Sequence, residues 1–179
     1  MKKYTSIIVI ITIIILIICT GFFQIANAGD NIPSDKEVNY AKVLYSLMTD
    51  FDKKESQFVT DAQAVNQQDK YSMKNLFKNK FEYTKKYYAN VMALQPTSKF
   101  IKPHQNLLVG IYDNLKYLQN FINDLDRGYS SQELQARNLT EFQKVNDKYS
   151  LAVKEIIDII KSWQKPYIKK VMPETIQAG

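Results

Sequence analysis

SDKEVNYAKVLYSLMTDFDKKESQFVTDAQAV, residues 34–65, contains neither glycine nor proline. It opens with Ser34-Asp35-Lys36-Glu37 directly after Pro33. That is the spacing of a capping box, in which a serine hydroxyl and a glutamate three residues on satisfy each other's backbone N–H. Ala41, Leu44, Met48, Phe51, Glu55, Phe58, Ala62 and Val65 then recur at intervals of three and four. Those intervals place them on one stripe of an α-helix and leave polar side chains on the opposite face. The stretch therefore predicts one long amphipathic helix, with Glu55 as the polar exception in its apolar stripe.

Working toward the C-terminus, the same pattern repeats. Asn66-Gln67-Gln68-Asp69 is the expected break, with Asp69 as the next cap. A second helix carries Met73, Phe77, Phe81, Tyr88 and Val91 on one face and ends before Pro96. Thr84 falls on that face as a polar gap, which a hydroxyl bonded to a carbonyl one turn back makes cheap. Pro103 suits the first turn of a third helix, whose stripe is His104, Leu108, Ile111, Leu115, Leu118, Ile122 and Leu125. Gly128 closes it, since glycine tolerates the left-handed conformation after a helix. Ser130-Ser131-Gln132-Glu133 is a second capping box. It opens a fourth helix bearing Phe142, Val145, Tyr149, Ala152, Ile156, Ile159 and Trp163, which stops before Pro166.

No strand alternation occurs. Four amphipathic helices with short connections predict an all-α fold, an antiparallel four-helix bundle. The alternative is a long three-helix hairpin, with the first helix running through Asn66 into the second. The first and last helices are expected to be the longest. The bundle domain is expected over residues 29–165, with a flexible tail over 166–179.

Toward the N-terminus the chain changes character. Lys2 and Lys3 precede a nearly unbroken apolar run, residues 7–23, and the first acidic residue is Asp30. A positive segment before an apolar one is the pattern that drives export, so residues 1–28 read as a signal peptide or a membrane anchor. Three fates are open. Ala26 and Ala28 stand at the −3 and −1 positions of a signal-peptidase site, with Gly29 next. The run is also near the lower length limit for a membrane-spanning helix, so it could stay as an anchor. Leu16-Ile17-Ile18-Cys19 has the outline of a lipobox, with a bulky isoleucine where that motif takes a small residue, so Cys19 is a weak lipidation site. Each fate puts the protein outside the cytoplasm, at the outer face of the cell membrane or secreted.

The net charge is +6; without Lys2 and Lys3 the remaining 151 residues keep 22 basic and 18 acidic side chains, or +4. Cys19 is the only cysteine, so a chain cut after Ala28 has neither disulfides nor thiolate chemistry. Abundant lysine, asparagine, isoleucine and tyrosine with a cysteine-free exterior suggest a low-GC Gram-positive source.

Few residues point to chemistry. His104 is the only histidine, so the Glu-x-x-His pairs of bundle metal sites cannot form. It reads as a half-exposed, helix-start histidine bonded to a neighbouring side chain. Glu55 must be paired, protonated or at an edge, because an unpaired buried carboxylate costs several kcal/mol; Lys54 or a lysine from another helix is the expected partner. Lys74, Lys78 and Lys85 line one side of helix two, beside the stripe of Phe77, Phe81 and Tyr88; with Lys80, Lys86, Tyr83 and Tyr87 this is the most basic and aromatic part of the chain. Lys169 and Lys170 repeat the basic-aromatic mixture in the tail. On an exported protein such surfaces would meet lipid head groups or anionic wall polymers rather than nucleic acid. There is no Gly-x-Ser-x-Gly and no glycine-rich phosphate loop; the single Ser-x-x-Lys, Ser162 to Lys165, has none of its companion motifs. No cofactor, metal or catalytic residue is expected.

The leader, the long first helix and PTSKFIKPHQNLLVGIYDNLK (residues 96–116), a Pro-led loop entering a helix through Pro103-His104, together resemble the small uncharacterised helical-bundle proteins and lipoproteins exported by Gram-positive bacteria. The resemblance covers residues 30–165 at the level of architecture and implies no catalytic residues. The expected role is a non-enzymatic binding or adaptor module at the cell envelope, with an envelope or membrane protein as partner. An anionic polymer or lipid bound through the helix-two face, or a surface exclusion or immunity role, are the alternatives. Oligomeric state is not legible.

Overall fold

A computed structural model describes residues 31–65, 69–129 and 131–173; the leader, with Cys19, Ala26 and Ala28, lies outside them. Five helices follow in order: α1 (Asp35–Ala64), α2 (Lys70–Met92), α3 (Ile101–Asp126), α4 (Ser131–Lys161) and α5 (Lys165–Val171), with one 3-10 turn (Ser98–Phe100) ahead of α3. α1 to α4 run up and down as the antiparallel four-helix bundle, and no strand occurs among the described residues. The first and last long helices are the longest, at 30 and 31 residues.

The sequence signals act as physical devices. The Ser34–Glu37 box is formed: the Ser34 N–H donates to Glu37 Oε2 at 2.7 Å and the Glu37 N–H to Ser34 Oγ at 3.3 Å. Val65 leaves the helix with extended backbone, which ends α1 before α2 begins. Asp69 caps α2 by accepting from the Tyr71 and Ser72 N–H groups. Gly128 sits at φ +83, and the Gly128 and Tyr129 N–H groups return to the Leu125 and Asp124 carbonyls, closing α3 as a Schellman motif. Ser130, the expected cap of α4, lies outside the described residues.

The core has two parts. The larger spans α1, α2, α3, α4 and α5 and centres on Leu44, Leu107, Ile111, Ile156, Ile160 and Trp163, all essentially water-free. The smaller lies at the far end around Leu118, Phe121 and Leu134, where Phe77 stacks on Phe121 at 4.0 Å. α3 and α4 approach closely at Gly110, where an added Cβ would lie 3.0 Å from Tyr149 Cα. That contact explains the one glycine inside a helical stripe.

Two expectations are corrected. The innermost seam of α2 is Leu76, Lys80, Thr84, Tyr87 and Val91, while Phe77, Phe81 and Tyr88 are only partly buried. A lysine in the seam breaks the hydrophobic pattern, so the inward face reads a few tens of degrees off. The tail is not loose through residue 173 either. α5 buries Ile168 and Val171, with Met172 beyond them, against the start of α1 and the end of α4. Pro166 starts this helix rather than stopping the fold, because a first-turn proline has no N–H to waste.

The chain enters the bundle at a clamp. The Asn31 N–H donates to the Ser162 carbonyl at 3.3 Å, and the Gln164 N–H to the Asn31 carbonyl at 3.1 Å, a short parallel bridge at the joint of α4 and α5. Trp163, fully buried, stands edge-on to Phe100 with centroids 6.0 Å apart. The entry point, the 3-10 turn and α5 therefore share one end of the bundle.

Candidate functional site

The densest polar group inside the bundle grows from Glu55. Its place in the apolar stripe of α1 turns it toward α2, where Lys80 Nζ donates to Oε2 at 2.5 Å and the Tyr83 hydroxyl to Oε1 at 2.6 Å. The lysine from another helix is the partner, not Lys54, whose ammonium lies over the Tyr83 ring. The Lys80 ammonium also lies over the Phe58 ring, 4.3 Å from its centroid. One turn before Glu55, burial and then the Glu55 charge push the Asp52 carboxyl up to about 7. Burial, with Glu55 next, raises the Tyr83 hydroxyl.

Tyr87 and Tyr149 complete the layer. Tyr87 stacks on Phe51 at 4.3 Å, and Tyr149 lies 5.8 Å from the same ring. Their hydroxyls influence each other, yet neither makes a hydrogen bond of normal geometry, and burial raises both. Asp52 near neutral titration could move a proton. Beside it are the Glu55 carboxylate and the buried phenols of Tyr87 and Tyr149. The layer is built to hold a charge pair and to set the register of α1 on α2.

His104 is 4 % exposed rather than half-exposed as expected. The Tyr40 hydroxyl lies 2.8 Å from Nδ1, and burial lowers the imidazole pKa, which favours the neutral ring. The Tyr40 ring packs beside it and against Phe100 of the 3-10 turn, a long-range contact that the lone histidine's local sequence does not reveal.

The helix-two lysines are not one free surface. Lys74 is paired with Asp126 of α3, while Lys78 and Lys85 are exposed. Lys169 and Lys170 are exposed on α5, the latter over the Tyr167 ring. At the far end, Asn120, Asn123, Asp124, Arg127, Arg137, Asn138 and Glu141 line a cleft of about 210 Å³. The chain's two arginines, against 22 lysines, both lie beside the buried Asp124 there, at 3.5 and 3.6 Å. No cluster of three or more His, Cys, Asp or Glu fit to hold a metal occurs among the described residues. No helix among them is long and apolar enough to cross a membrane.

No family model matches the chain, and no curated protein or solved structure is significantly similar to it.

Proposed function

We propose that the chain is an exported, non-enzymatic helical module that presents its bundle surface to a protein partner at the cell envelope. The observation that carries this is the junction between two kinds of sequence. A basic and then apolar leader runs to residue 28, and only three residues later Asn31 is bonded into the closed end of a well-packed bundle. The interior supports a binding role over a catalytic one. Glu55 is taken up by Lys80 and Tyr83, Asp124 lies beside both arginines, and burial favours the neutral form of the one histidine, which is bonded to Tyr40.

Intact mass of the protein from membrane, medium and cytosolic fractions tests the reading. A medium species beginning at Gly29, a membrane species retaining Met1, or one beginning at a diacylated Cys19 each fits export. Recovery of the whole chain, Met1 included, from the soluble cytosol would overturn it.

A further inference from the structure

Charge is distributed unevenly along the bundle. The entry end comprises residues 31–37, 97–104 and 158–173; it holds seven lysines and three acids, +4. The far end, residues 61–75 and 123–138, holds four basic and five acidic side chains, −1. The whole excess of the chain beyond the leader therefore equals that of the entry end. Two of its three acids are also engaged: Glu37 accepts the Ser34 N–H and pairs with Lys99 at 3.2 Å, and Asp158 pairs with Lys154, while Asp35 is exposed. Lys36, Lys102, Lys165, Lys169 and Lys170 are exposed. Two large aliphatic side chains stand out among them, Ile32 at 66 % and Ile101 at 46 % exposure.

We propose that this end is a docking surface for an anionic lipid membrane. Lysines attract anionic head groups over about one Debye length, roughly 8 Å at physiological salt. Isolated aliphatic side chains between them gain by entering the interface, which a hydrated soluble polyanion does not offer. The position of the leader points the same way. Residues 24–30 separate the apolar run from Asn31, and seven residues reach at most about 25 Å when extended. A leader held in the bilayer would thus keep this end, and not the far one, beside the surface. The proposal deepens the envelope reading and rests on it for the place where protein and membrane meet. The contact itself belongs to residues 31–173.

Among the described residues every core side chain lies between Val38 and Met172, and a form comprising residues 29–179 keeps all of them. This form is sedimented with vesicles of phosphatidylglycerol and phosphatidylcholine, and with pure phosphatidylcholine, at 0.1 and 0.5 M salt. Binding is expected only to the anionic vesicles and only at the lower salt. Each surface lysine is worth about fivefold in partitioning. The triple variant Lys165→Gln, Lys169→Gln, Lys170→Gln should therefore bind on the order of 100-fold more weakly. Ile32→Ser with Ile101→Ser should weaken binding while leaving its salt dependence. The control, Lys78→Gln, Lys85→Gln, Lys86→Gln on α2, should stay within about twofold, with circular dichroism confirming that all variants are folded. Equal binding to neutral vesicles overturns the proposal. So does an equal loss in the α2 control, or binding to a soluble glycerol-phosphate polymer without binding to vesicles. Failure of export shows in the fractionation and leaves the vesicle result readable.

Discussion

Replacing Lys80 with methionine should be among the most damaging single changes in this bundle. The lysine side chain is 8 % exposed and Glu55 is 18 % exposed. Methionine fills the volume over Phe58 but leaves the Glu55 carboxylate with only the Tyr83 hydroxyl and a partial view of water. Removing one partner of a buried pair costs about 3–5 kcal/mol, and the partial exposure of Glu55 moves the expectation to about 3. For a domain of this size that is a fall in Tm of roughly 6–12 °C. Urea denaturation at pH 7 measures it. Adding Glu55→Leu and Tyr83→Phe removes the stranded charge and the hydroxyl that had bonded it. The triple variant should recover to within about 1 kcal/mol of the parent, because a buried pair contributes little over a packed apolar replacement. A Lys80→Met protein within 0.5 kcal/mol of the parent, or a triple variant no better than the single one, would show that the pair does not hold α1 to α2 as described.

Asp52→Asn should flatten the pH dependence of stability. The native carboxyl, raised to about 7, holds a proton that the unfolded chain releases near 4, so its contribution is lost as pH rises between those values. His104 acts oppositely: its lowered pKa gives stability above about 6.5 that is lost as pH falls. The informative quantity is therefore the difference in Tm between parent and Asp52→Asn, which should change by several degrees from pH 4 to 8; a constant difference refutes it. Gly110→Ala should destabilise by about 1–2 kcal/mol in denaturant despite alanine's helix preference, since the new Cβ meets Tyr149 backbone and not a movable side-chain end. Ser34→Ala should cost about 1 kcal/mol in the same assay, and a neutral result would mean the capping box does not anchor α1.

How much of this was legible depended on whether a residue's role is local. Caps and stops at Ser34, Asp69 and Gly128 act within a few residues, and each works as its spacing implies. The inner face of α2 was misread because Lys80 is buried by a partner 25 positions away, which no local period contains. The hydrogen-bond partner of buried His104 is likewise Tyr40, 64 positions off. Some signal for α5 was present: Ile168, Val171 and Met172 fall on one turn-spaced face after Trp163. Proline, read as a terminator, hid it. At the candidate docking end, Lys169 and Lys170 were visible as a basic pair, but Lys36, Lys99 and Lys102 join them only through the fold.

The clamp at Asn31 also sets how the molecule would carry load. If the chain is held from its N-terminal side, tension arrives first at Asn31, where the two backbone hydrogen bonds to Ser162 and Gln164 tie it to the opposite end of the sequence. Pull is then shared with α4, α5 and the buried Trp163 before any of it reaches α1. A helix that would otherwise peel turn by turn from its first residue is protected by the last helices of the same chain. The domain would stay whole until that single bolt slips, and would then open from the tethered end inward.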